Sequence, residues 1–168
     1  MNEETVKEWI KFGDENFNAG LTLFKNSAEN FKNIVCYNMQ QAVEKYLKAY
    51  LVANNIEIDD NHREHHTHDI AKLIETCKRI DNDFSSLYKI EADRLTDYAV
   101  KSRYPASKEA SIEDEREAVS ITEQVRPFVI KKINRISPIF EQTKPDAFTQ
   151  DMQNKQENKP QNKIKFRR

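Results

Sequence analysis

A chain of 168 residues has room for one domain, and its two glycines and five prolines are too few for a strand-and-turn protein, whose tight hairpins consume glycine. Charged residues make up 33% of the chain and hydrophobic ones only 38%; Glu, Lys, Ala, Leu and Gln fill the middle, a mixture that favours amphipathic helices. The formal net charge of −1 excludes a global field that would draw the chain to nucleic acid or membrane, so any such attraction must come from local patches.

In chain order, Val6, Ile10, Phe17, Leu21 and Phe24 recur at helical spacing and line one face of a first helix, which Trp9 and Phe12 widen. Gly13 and Gly20 lie seven residues apart on that helix, on nearly the same side. Either they are incidental, with a frayed end at Gly20, or they let a neighbouring helix approach closely. Ser27 can cap a second helix running to about Ala53, whose buried stripe is Val35, Met39, Ala42, Val43, Tyr46, Leu47 and Tyr50. Asn38, Gln41, Lys45 and Lys48 share a different face of it. A polar loop from Asn54 to Thr67 follows, and a third helix starts at His68 or Asp69 with Ile70, Leu73, Ile74, Cys77 and Ile80 as core positions. Asp69 there complements the helix dipole.

A fourth helix is expected from Asp83, carrying Phe84, Leu87, Tyr88, Leu95 and Tyr98, and it must end by Arg103 or Tyr104, because Pro105 disfavours helical geometry in the residue before it. Ser111 can cap a fifth, with Glu115 supporting its first turn and Ala118, Ile121, Val125, Phe128 and Val129 as its stripe. Pro127 should kink this helix, since it removes a backbone donor and crowds the preceding turn. The expected fold is therefore all-α: a single up-and-down bundle of about five helices over residues 1–136. Residues 137–168, rich in Gln, Asn, Lys and Pro, read as a disordered basic tail. That tail either solubilises the chain or lends it non-specific affinity for nucleic acid, with Phe166 stacking on a base.

Cys36 and Cys77 fall within helical patterns and read as small buried apolar residues, which fits a reducing compartment; a disulfide stays open. With no secretory segment and no apolar run approaching a membrane span, the expected location is cytoplasmic. All four histidines, His62, His65, His66 and His68, lie within seven residues, flanked by Asp59, Asp60, Glu64 and Asp69. Imidazole and carboxylate suit zinc or nickel, yet no His-x3-His pair sits on a convincing helix. A solvated polar loop is the simpler account, and neither metal nor cofactor is expected.

Three ordered segments resemble the HEPN family. Residues Tyr37 to Ala49 contain Gln40-Gln41-Ala42-Val43-Glu44-Lys45, similar to that family's QQAVEKALKA helix; His68-Asp69-Ile70 resembles its HDL; Arg103-Tyr104-Pro105 resembles its RYP. The likeness covers about residues 1–135. It implies a helical bundle that commonly forms a two-fold dimer, often encoded beside a separate minimal nucleotidyltransferase as half of a toxin–antitoxin-like pair. It further implies a polar site for nucleotide or RNA phosphate, built here from Arg103, Tyr104, His68 and Asp69, with Tyr98, Gln41, Lys45 and Lys48 in support. The nucleotidyltransferase itself is not in this sequence, since neither glycine is followed by serine.

One branch of the family cuts RNA with an Arg and a His four to six residues later. Here the matching Arg is Arg103, and no histidine follows it as far as Ala110. A formal match, Arg63 and His68, lies instead in the loop before the third helix. The enzymatic alternative is thus a metal-independent endoribonuclease using Arg63 and His68, or Arg103 with a distant histidine: His moves a proton while Arg stabilises phosphate charge. The bland alternatives are that His68-Asp69 only makes local hydrogen bonds at a helix start, that Arg103 only fixes its junction, and that the domain is a dimerisation adaptor without ligand.

Overall fold

The computed structural model describes residues 2–26, 31–58, 67–101 and 109–139. They form five α-helices, α1 (Glu3–Asn26), α2 (Lys32–Ala53), α3 (Ile70–Ile80), α4 (Leu95–Lys101) and α5 (Ile112–Ile136), with two 3-10 segments, Asn82–Ile90 and Ala92–Arg94, between α3 and α4. No strand occurs among the described residues, and no helix there is long and apolar enough to cross a membrane.

The central helix is α2, more than half of whose residues are buried. α1 packs along one side of it and α5 along another. The two glycines of α1 make the first packing possible. A Cβ on Gly13 would stand 2.5 Å from Cε1 of Tyr46, and one on Gly20 would stand 2.5 Å from Cε of Met39. Both distances are far inside contact range, so close helix approach, and not a frayed end, accounts for the pair. The helix indeed continues past Gly20 to Asn26. Phe12 departs from the expected stripe and is 48% exposed, because it sits about 200° around the helix from Ile10.

Local chemistry sets the helix ends. α2 starts later than Ser27 would have it: Phe31 holds the N-cap position without a side-chain cap, and Ser27 lies outside the described residues. The helix stops where Asn55 turns left-handed at φ 60, a conformation asparagine tolerates better than most residues. Asp69 caps α3 by accepting from the Lys72 amide at 3.2 Å, and Ser111 caps α5 by accepting from the Asp114 amide at 3.0 Å. Asp114, not Glu115, returns the bond to Ser111 and completes the capping box. Glu115 is buried instead, with Oε1 lacking a hydrogen-bond partner among the described residues, and burial raises its pKa. Pro127 stays inside α5, which runs on to Ile136.

The expected fourth helix is not continuous. Phe84, Leu87 and the half-buried Ile90 recur every three residues, and so, one residue out of step, do Ala92, Leu95 and Tyr98. A three-residue rhythm fits the 3-10 helix, with about three residues per turn. Glu91 sits at the phase break with φ 57 and ψ 34. Only from Leu95 does an α-helix form.

Aromatic and ionic ties close the bundle. The Phe84 ring lies 4.4 Å from Tyr50 of α2 and, edge-on, 5.1 Å from Phe128 of α5. Lys132 of α5 donates to Asp81 and Asp83 at the start of the 3-10 segment. Asp14 of α1 takes a bidentate pair from Arg126 of α5 at 2.6 and 2.8 Å and the Tyr46 hydroxyl of α2 at 2.8 Å. Cys36 and Cys77 are both buried, and Ile80, expected in the core, is 41% exposed at the end of α3.

Candidate functional site

Gln40, Glu44 and Lys48 are spaced by four on α2 and therefore stack along one side of it, with Gln41 and Lys45 beside them. This side meets the start of α3. The Gln40 amide nitrogen donates to the backbone oxygen of His68 at 3.0 Å and to Glu44 Oε2 at 3.1 Å. The α3 end is held from the other direction by α4, where Thr96 Oγ1 accepts from the Ile70 amide at 2.9 Å. His68 is thus fixed by its backbone before its side chain is considered.

The centre of the cluster is a carboxylate. Glu44 has a side chain only 5% exposed, and its Oε1 takes Lys48 Nζ at 2.7 Å. Nδ1 of His68 lies 3.0 Å from Oε1 and 3.1 Å from Oε2. Burial pushes the Glu44 pKa up, but the hydrogen bond and charge of Lys48, with those of His68, outweigh it and hold the carboxyl below the usual range. An ionised carboxylate can only accept, so a hydrogen bond between the two groups requires the proton on Nδ1. The opposite edge of the ring belongs to a side chain that is 62% exposed. A carboxylate-held imidazole of this kind can take a proton from a ligand or, once protonated, meet a phosphate.

Lys48 and Lys45 play different parts. Lys48 is 4% exposed, spends its charge on Glu44 and lies 5.6 Å from the centre of the Trp9 ring. Lys45 is half-buried and donates to neutral amide oxygens, Asn16 Oδ1 at 2.7 Å and Gln41 Oε1 at 3.3 Å. Burial lowers its pKa, with Glu44 opposing that effect and Lys48 adding to it. Gln41 also donates to Gln40 at 2.8 Å and to Glu44 at 3.4 Å. A chain of hydrogen bonds therefore runs from α1 through Asn16, Lys45, Gln41 and Glu44 to His68.

Of the residues singled out by sequence, the fold brings together His68, Gln41, Lys45 and Lys48. Asp69 sits beside them but is occupied as the α3 cap and pairs with Lys72 at 3.7 Å. Tyr98 turns to α5: its hydroxyl donates to Glu117 at 2.6 Å, and the Arg94 guanidinium lies 5.5 Å from its ring centre. Burial, then the Glu117 bond, pushes the Tyr98 phenol well above its usual pKa. Arg63, Arg103 and Tyr104 lie outside the described residues, as do His62, His65 and His66. Among the described residues no three His, Cys, Asp or Glu side chains converge as metal ligands do.

Sequence reasoning missed Glu44, Gln40 and Asn16. The i, i+4 step from Glu44 to Lys48 is a pairing signal legible in the sequence; its burial is not. Residues 6–133, which contain every member of this cluster, match the HEPN domain family model. The chain belongs to the HEPN domain family. Comparison with curated proteins and with solved structures returned no match. HEPN membership supports a nucleotide- or RNA-related role, and the Gln40–Lys48 stretch and the His68-Asp69 pair, recognised separately in sequence, adjoin in this HEPN fold.

Proposed function

We propose that this HEPN protein is a cytoplasmic homodimer that binds nucleotide or RNA phosphate and acts with a separately encoded minimal nucleotidyltransferase, as one half of a toxin–antitoxin-like pair. The observation that carries the binding reading is the charge balance of the α2–α3 cluster. Glu44 and Lys48 cancel at 2.7 Å, which leaves the Lys45 ammonium on amide oxygens and the exposed His68 ring beside it in the same hydrogen-bond chain. A cation hydrogen-bonded to neutral groups keeps more of its field for a ligand anion than one in a direct ion pair, even with Glu44 and Glu15 acting on Lys45 through space. Arg103 and Tyr104 join the site in this proposal through a planar guanidinium fork and a stacking ring. Commonly dimeric relatives in the family support the two-fold assembly.

The test is titration of the purified full chain with ATP and with a short single-stranded RNA at low salt. Binding that weakens with added salt and falls about tenfold in Lys45→Gln and in Arg103→Ala is expected, about 1.4 kcal/mol each. Absence of binding to both probes by the wild type removes the proposal.

The carboxylate-held imidazole favours one second reading, a metal-independent endoribonuclease. The RNA 2′-oxygen attacks phosphorus and passes its proton to His68 Nε2. The P–O5′ bond breaks, and the leaving 5′-oxygen takes a proton from solvent. Arg63 or Arg103 would stabilise the phosphate charge. RNA incubated with the chain in chelator should then acquire 2′,3′-cyclic phosphate ends that His68→Ala abolishes; undiminished cleavage by that variant rules the reading out.

A further inference from the structure

We infer that Glu44 is a positioning residue for His68: its carboxylate takes the Nδ1 proton, fixing the tautomer in which Nε2 carries the lone pair. The inference rests on the phosphate-binding reading for its purpose and on separate geometry for its content.

Three observations carry it. First, both Glu44 oxygens lie within 3.1 Å of Nδ1, so a small rotation of the carboxylate does not release the ring. Second, α2 holds His68 at two points, ring and backbone, because Gln40 bonds the His68 carbonyl at 3.0 Å and also braces Glu44 at 3.1 Å. The same amide therefore keeps carboxylate and imidazole in register. Third, the accessibilities are opposite: Glu44 and Lys48 are 5% and 4% exposed, whereas His68 is 62% exposed. An exposed ring covers little apolar surface, so the contact gains little from burial. A buried ion pair is itself a poor source of net stability compared with apolar packing. Lys48 would satisfy Glu44 without any histidine; the added imidazole needs another explanation. Orientation is one, since a ring nitrogen's role as donor or acceptor is set by the bond its other nitrogen makes.

The arrangement assigns Lys48 a part as well. It keeps Glu44 an obligate acceptor, because a protonated carboxyl could donate to Nδ1 and impose the other tautomer. The charges of Glu44 and Lys48 act on Lys45 in opposite directions, so the pair taken together reaches a ligand chiefly through His68.

The experiment is long-range proton–nitrogen NMR of the His68 ring in the full 15N-labelled chain, above the pH at which the ring is charged. The wild type should show a protonated Nδ1 and a bare Nε2. Replacing the pair together, Glu44→Met with Lys48→Met, removes both buried charges at similar volume and should shift the ring towards the Nε2–H form that free imidazole prefers. Should that variant fail to fold, Glu44→Asp withdraws the carboxylate by one methylene and should give a mixture of the two forms. A wild-type ring protonated on Nε2, or a tautomer unchanged in the variant that folds, overturns the assignment. ATP binding supplies the second readout: the double replacement and His68→Asn should each weaken it about tenfold, and their combination should weaken it no further. Fully additive losses also overturn the assignment. Since the spectrum needs no ligand, a chain with the expected tautomer that binds neither ATP nor RNA sinks the phosphate-binding reading and not the geometry.

Discussion

Two lysines of this HEPN bundle are drawn almost equally far from water, yet their surroundings differ. Lys132 of α5 is 5% exposed and meets two carboxylates, Asp81 and Asp83, beside the Phe128 ring. Its charge is more than cancelled, and the contact joins α5 to the end of α3. Lys48 of α2 is 4% exposed and meets one carboxylate, which also holds the largely exposed His68, with Lys45 next along the hydrogen-bond chain. The first cluster is closed electrostatically and explained by packing. The second sets a half-buried ammonium on neutral amide oxygens and leaves a titratable ring exposed, features that packing does not require. Burial of a lysine alone therefore marks no site; the balance of charge around it, and what remains exposed, separates a fastening from a candidate for binding.

The comparison is broken most forcefully by removing one partner from each cluster. Lys48→Met leaves the buried Glu44 carboxylate without its ammonium partner, and should cost about 3–5 kcal/mol in urea unfolding. Asp83→Asn removes a carboxylate whose side chain is 67% exposed and should cost less than about 1 kcal/mol. Equal losses would erase the distinction. Only the α2–α3 side should respond in binding as well: Asp83→Asn is expected to leave ATP affinity unchanged.

A second test strikes the support beneath the α2 cluster. Gly13→Ala drives a methyl into the Tyr46 ring and should destabilise by about 1–3 kcal/mol, overriding the gain of about 1 kcal/mol in helix propensity. Gly20→Ala meets the flexible tip of Met39 and should cost less. Unfolding midpoints that rank the two in the opposite order would contradict the packing described.

Acid should weaken the closed cluster. The hydrogen bond from Lys132 holds the Asp81 carboxyl below its usual pKa, against a smaller opposing effect of burial. With the folded value below the unfolded one, Asp81 stabilises the protein above the ordinary carboxylate range and loses that contribution as pH falls through its lowered pKa. The difference in unfolding midpoint between wild type and Asp81→Asn should close on the acid side and persist at neutral pH. A gap that stays constant would remove Lys132 as the cause.

The smallest effect is expected at the phase break. Glu91→Gly relieves the left-handed backbone by about 1 kcal/mol but forfeits the exposed Glu91–Arg94 pair, so stability should rise by a few tenths of a kcal/mol at most. A clear loss by thermal unfolding would mean that the carboxylate matters more than the backbone strain.

Much of this architecture was readable residue by residue. The stripes of α1, α2, α3 and α5 follow from apolar spacing, and Asp69 and Ser111 announce their helix starts because a short polar side chain there can accept an orphan amide. The threefold rhythm of Phe84, Leu87 and Ile90 was also present, but a helix of 3.6 residues per turn absorbs it in a first reading. Phe12 and Ile80 were misplaced because spacing gives an angle around one helix, not the position of the neighbours that cover it. The candidate site was half visible. His68, Gln41, Lys45 and Lys48 stood out as polar groups, whereas the burial of Glu44 could not be read from its spacing.

Sequence alone determined the helical class, the family and the main apolar faces, because local spacing and short ordered motifs encode them. Tertiary structure decided which polar groups meet: it buried Glu44, matched it to Lys48 and set His68, twenty-four positions away, on its oxygens. That outcome depends on how α2 and α3 pack, and burial converts an ordinary acid into an ionised anchor only when a cation is buried with it.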